Sequence, residues 1–114
     1  MYALFIVLND LKKLDDVMLA LYALDLGATS MDSSGMISSL TASIPDFLIP
    51  TTNDLKEDEK QAFSKTLVSI IHDEAKVDTA IERINKLLNI DENPGTAFMF
   101  VLPVLRTTGG FIEK

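Results

Sequence analysis

The chain holds one histidine and no cysteine. Thiol catalysis, thiolate metal sites and disulfides are therefore excluded, and His72 is the sole imidazole for acid–base or metal work. His72 precedes Asp73 and Glu74, an order that suits an imidazole–carboxylate ligand pair or a general base. No second His or Cys completes a metal shell, however, and no nucleophile stands at a spacing that pairs with it. A turn histidine before a helix-capping Asp is the plainer reading. Asp15-Asp16 and Glu57-Asp58-Glu59 offer oxygen ligands to a hard cation, but neither has the fixed glycine and terminal Glu of a calcium loop. Both read as solvated helix faces. Carboxylates paired for acid–base work need burial that separates their pKa values, which nothing in these runs predicts. Ser33-Ser34-Gly35 is too short to cradle a phosphate alone and reads as a strand end. Met18, Met31, Met36 and Met99 read as packing. No catalytic residue and no metal-ligand set is expected from these residues.

With 114 residues the chain is expected to form a single domain over 1–114, built on one core. Its formal charge is −7, spread evenly along the sequence. Nucleic-acid affinity rests largely on Lys and Arg neutralising phosphates, so this balance speaks against DNA or RNA, and equally against an anionic membrane surface. Met1-Tyr2-Ala3-Leu4 lacks a basic leader region, and the longest apolar stretch, Ala97 to Leu105, is about half of what spans a bilayer. A soluble, cytoplasmic protein without membrane insertion is expected. Mean hydropathy is nevertheless +0.23, with 47% hydrophobic residues, high for a domain this small. Self-association would cover the excess.

Whatever chemistry exists must be positioned by a unit that occurs twice, 63 residues apart. Leu4-Phe5-Ile6-Val7-Leu8-Asn9-Asp10 returns as Leu67-Val68-Ser69-Ile70-Ile71-His72-Asp73, and Lys13-Leu14-Asp15 returns as Lys76-Val77-Asp78. A strand, a turn at an Asp and a helix with one apolar face, given twice, predict a ferredoxin-like βαββαβ sandwich of the α+β class. Its four-stranded antiparallel sheet carries two helices on one face. The predicted strands run from about Tyr2 to Leu8, Thr29 to Met36, Thr66 to Ile71 and Thr96 to Val104. The first helix is predicted from near Leu11 to Leu26, with Leu14, Val17, Met18 and Leu21 facing inward and Gly27 as the left-handed residue that ends it. The second is capped by Asp73 and buries Val77, Ala80, Ile81, Ile84, Leu87 and Leu88. Strands one and four are apolar on both faces, so the side without helices needs a cover, and two or three copies packed sheet against sheet would supply it.

From Ile37 to about Ser64 the periodicity fails, and a long loop is expected there. Excursions of this length within a compact domain are uncommon and often functional. Within it Phe47, Leu48 and Ile49 form an apolar patch between Pro45 and Pro50. Either the patch folds back on its own subunit, which the cost of exposing it favours, or it is a docking anchor for a partner.

Several pieces resemble the nitrogen-regulatory PII signal proteins and their PII-like relatives, over nearly the whole chain except the long loop. Lys13-Leu14-Asp15-Asp16-Val17 with Ala20-Leu21 is similar to that family's helix start, Gly27-Ala28-Thr29 to its helix-to-strand turn, and Phe100-Val101-Leu102-Pro103-Val104 to its fourth strand. The resemblance implies a homotrimer whose sheets line a central barrel, with ligand clefts between subunits and a loop after strand two, the T-loop, that docks on a target protein. In members that bind adenine nucleotides the cleft uses a glycine near the end of strand two, a glycine turn before strand four, and arginines past strand four. Carried onto this chain, the ligand-binding residues are Gly35 and Met36, Gly95 and Thr96, and Arg106. Thr96 stands where the family has lysine, Asp91 and Glu92 lie close by, and Arg106 is a lone cation. Holding a triphosphate takes two or three cationic groups, so an adenine nucleotide with fewer phosphates, a small anion or a metal are the open alternatives for the ligand.

The expectation is thus a PII-like regulatory protein that binds a small ligand between subunits and signals through residues 37–64. Two further readings share the fold. One is a small enzyme of the isomerase or cofactor-free oxygenase type that uses His72, and the other a CutA-like metal-tolerance protein.

Overall fold

The structure, a computed structural model, describes residues 1–34 and 64–110. The expected α+β fold is present. β1 (Tyr2–Leu8), α1 (Leu14–Ala23), β2 (Thr29–Ser33), β3 (Ser64–Ile71), α2 (Glu74–Leu88) and β4 (Ala97–Pro103) follow one another along the chain. The sheet is antiparallel in the order β2-β3-β1-β4, with Phe5 opposite both Val68 and Phe100. Pro103, which cannot donate to a ladder, sits at the end of an edge strand, where its missing N–H does least harm.

Strand alternation sorts the sheet into two faces. Leu4, Ile6 and Leu8 of β1 and Leu67 and Ile71 of β3 point to the helices. They form the core with Val17 and Leu21 of α1 and Val77, Ala80, Ile84 and Leu88 of α2. Both helices thus cover the same face. Their other sides point to solvent, including Met18 and Leu87, which helical spacing alone places with the core.

The repeat holds at atomic detail. Asp10 accepts a hydrogen bond from the Lys12 N–H at 3.2 Å, and Asp73 accepts one from the Ala75 N–H at 2.9 Å, both from extended backbone, so each strand hands over to its helix in the same way. After Asp10 the chain first makes a 3-10 turn, Leu11–Lys13, which delays α1 until Leu14. Both helices also end alike. Leu26 N–H bonds to Leu21 O and Asp25 N–H to Tyr22 O, while Ile90 N–H bonds to Asn85 O and Asn89 N–H to Lys86 O, the paired closure of a Schellman motif. The left-handed residues are Asp25 (φ 63°) and Asn89 (φ 53°). Gly27, predicted as the left-handed stop of the first helix, has no positive φ, and α1 ends three residues earlier than expected. Short polar side chains tolerate this region better than other L-residues, which is why Asp serves. Asp73→Ala is expected to lower stability by about 0.5–2 kcal/mol, with a matching fall in urea midpoint at unchanged slope.

Among the described residues β2 stops at Ser33, short of the predicted Met36, and β3 begins at Ser64, a residue the sequence reading gives to the loop. Gly35, Met36 and the Phe47-Leu48-Ile49 patch lie outside the described residues.

Candidate functional site

The exit of β1 is tied to the entry of β4. Asn9 N–H donates to Thr96 O at 2.8 Å, its side-chain Nδ2 donates to Gly95 O at 2.9 Å, and Asp10 N–H reaches the same Thr96 oxygen at 3.3 Å. These bonds fix a 3-10 turn, Pro94–Thr96, in which Thr96 is buried and its own N–H is spent on Asn93 O at 3.1 Å. Thr96 is therefore part of this turn rather than the first residue of the strand. Asp10, Lys13, Leu87, Leu88, Asn89, Asn93 and Thr96 line a polar cleft of about 350 Å³ beside it. Among the described residues Lys13 is the one cation in that lining, with Asp10 beside it there, and Asp91 and Glu92 are exposed just before the turn. Such a cleft suits a ligand of low negative charge, because a triphosphate would meet more acids than bases there.

The predicted residues occupy two places. Ser33 pairs with Ser64 on the last rung of β2 and β3, and one rung inward Asp32, Lys65, Leu8 and Ala97 follow one another across the sheet. The chain ends flanking residues 35–63 therefore stand at the same end of the sheet as Gly95 and Thr96. They lie on opposite edges, three strand spacings or about 14 Å apart. Arg106 lies beyond the far end of β4, past Val104, whose N–H donates to Met1 O at 2.9 Å. The seven residues of β4 separate it from Thr96 by roughly 23 Å. Within one chain the structure brings Gly95 and Thr96 together and does not bring Arg106 to them.

At the Arg106 end the chain turns onto the sheet face opposite the helices. Thr107, Gly109 and Gly110 line an open groove of about 420 Å³ with Thr29, Val68, Ile70 and His72. His72 itself is exposed at the β3 exit. Among the described residues His72 is the one ionisable side chain that lines this groove.

Two features were missed by the sequence reading. Asn9 reads only as the repeat partner of His72, yet it is the tie that holds the glycine turn. The other is a hydroxyl cluster: Ser33 Oγ lies 2.8 Å from Ser64 Oγ and 2.9 Å from Thr66 Oγ1, beside the root of residues 35–63. Ser33 was singled out in sequence, but its partners become visible only with the strand register. Asn9→Ala removes one side-chain bond and leaves the Gly95 carbonyl short of a donor. The expected cost is about 1 kcal/mol, read as a fall in melting temperature, with faster amide exchange around the 94–96 turn. No protein-family model and no curated protein matches the chain.

Proposed function

We propose that this chain is a PII-like regulatory protein that works as a homotrimer and binds a small ligand in the clefts between subunits. The observation that carries the reading is the face of the sheet left bare by the helices. Phe98, Phe100 and Leu102 of β4, Ala3, Phe5 and Val7 of β1, and Val68 and Ile70 of β3 lie on it in register. Phe5 and Phe100 stack with ring centroids 4.8 Å apart, and Phe98 leans on Phe100 at 5.6 Å, yet Phe98 stays 63% exposed. An aromatic surface of this kind is costly to leave in water and is readily covered by copies of itself.

Assembly would also explain the divided site. A neighbouring subunit can bring its Arg106 to the cleft of the first, where one chain alone leaves the two ends of the sheet apart. A ligand of few negative charges, such as an adenine nucleotide with one or two phosphates, would rest against Gly95 and Thr96. Its binding would be signalled to a target protein through residues 37–64.

The test is a thermal-shift panel of ATP, ADP, AMP, 2-oxoglutarate, bicarbonate and divalent metals, run alongside light scattering. A ligand that binds only the native state must raise apparent stability. A mass of three chains, and a shift with AMP or ADP that disappears in Arg106→Ala, is the expected pair of results. A panel with no shift at millimolar concentration would end the ligand-sensing reading.

A further inference from the structure

Helix α1 carries a second apolar stripe, which the core does not use. Leu14, Val17 and Leu21 face the sheet, but Met18 and Tyr22, one turn apart, point elsewhere beside Leu19. They are exposed: Met18 by 40%, Leu19 by 63% and Tyr22 by 80%. With Asp15, Leu21, Leu26 and Ala28 they form an open groove of about 520 Å³ on the helix side of the molecule. A tyrosine and a leucine this bare, next to each other on a regular helix, are a surface that needs an explanation.

Among the described residues the groove's lining carries one charged group, the carboxylate of Asp15. Residues 14–34 include Asp15, Asp16, Asp25 and Asp32 and no Lys or Arg. Asp32 is paired with Lys65, while among the described residues Asp15, Asp16 and Asp25 have no ion-pair partner. Lys12 and Lys13 precede the helix, and Lys76 lines the cleft that Asp25 also lines. The middle of α1 therefore offers an apolar floor with an acidic rim. The exposed Tyr22 ring adds a face on which a cation can rest.

From this complementarity we infer that α1 is a docking surface for a cationic amphipathic helix of a partner protein. An apolar stripe along a helix axis is matched by the apolar stripe of a second helix laid beside it, with basic residues of the partner reaching the aspartates at its edges. Strand addition at the neighbouring β2 edge is disfavoured, because that edge strand carries the charged Asp32, paired with Lys65 of β3. Anionic lipid and nucleic acid are repelled by the rim. The surface lies across the sheet from the aromatic face, so it stays open in the trimer proposed above, and it does not depend on that proposal.

The full-length protein is titrated into two synthetic helical peptides of about 14 residues, roughly four turns. One has Leu and Lys at helical spacing, the other Leu and Glu. Each carries one Trp as reporter, since the protein has none. Saturable binding of the Leu/Lys peptide is expected, weakening as salt rises, with little binding of the Leu/Glu peptide. The double variant Leu19→Ser/Tyr22→Ser and the double variant Asp15→Lys/Asp16→Lys should each weaken it about tenfold or more. All four positions are exposed, and circular dichroism checks that the variants fold. Three results overturn the inference. Equal affinity for wild type and both variants would mean unspecific charge attraction, and equal binding of the two peptides would mean apolar adhesion alone. A change of assembly mass in Leu19→Ser/Tyr22→Ser would make a second copy of this chain the occupant.

Discussion

Phe100→Asp is expected to reduce the proposed trimer to single chains of 12.6 kDa without unfolding them. Phe100 sits in the middle of the bare sheet face, stacked on Phe5 across the ladder with 4° between the ring planes and flanked by Phe98. In an isolated chain it is half-buried and faces away from the helices. The variant therefore loses an aromatic pair worth about 0.5–1.5 kcal/mol and some buried area, a loss a typical stability of about 5–15 kcal/mol absorbs. In a sheet-against-sheet assembly the same carboxylate would be enclosed without a partner, at a cost of several kcal/mol in every subunit. Light scattering reads the change in mass and far-UV circular dichroism reads the fold. Phe100→Leu, which keeps an apolar side chain there, should remain assembled. Were the unsubstituted protein already a single chain in dilute solution, the aromatic face would need another cover and the divided ligand site would lose its second subunit.

How much of this was legible before the fold was known depends on how local each cause is. Asp10 and Asp73 can be read as caps because a cap needs only the residue itself and the N–H two positions on. The duplicated strand and helix are equally local, and their order leaves few sheet topologies to choose from. Gly27 shows where such reading fails. The end of α1 is set by a bond spanning five residues, Leu26 N–H to Leu21 O, which places the left-handed position at Asp25 whatever glycine follows. Met18 fails for a related reason. Its spacing fits the core stripe, but the helix packs on a narrower face than its apolar residues cover.

The candidate site was harder, because its parts come from different rungs of the sheet. Gly95 and Thr96 are adjacent in sequence and need no register to be grouped. That Arg106 lies at the opposite end, and that Asn9 holds the turn, follows only once β1 is aligned with β4 from Leu8–Ala97 to Tyr2–Pro103. Strand register is a long-range property, fixed by side-chain packing across the whole sheet.

Ile6→Ala is expected to cost about 2–5 kcal/mol, and Ser69→Ala, at the matching position of the repeat, clearly less. The two residues are 63 apart, both point at the helices, and both are almost wholly buried. Ile6 lies between Leu67 and Met99 on neighbouring strands, so its truncation leaves a void in the centre of the core. For a domain of this size the melting temperature should fall by roughly 8 °C or more, at about 4–8 °C per kcal/mol. Ser69 occupies the equivalent place with a different contribution: its Oγ donates to Gly27 O at 2.6 Å, fastening the α1–β2 connection to the sheet. Losing that bond should cost about 0.5–1.5 kcal/mol, because the remaining methyl still fills most of the space and Gly27 is exposed enough for water to reach. The serine is thus a polar strap at a core position whose counterpart in the first half is the aliphatic Ile6. Equal losses for the two variants, measured by urea unfolding, would mean that the repeat is packed symmetrically and that the Ser69–Gly27 bond carries more than a single hydrogen bond should.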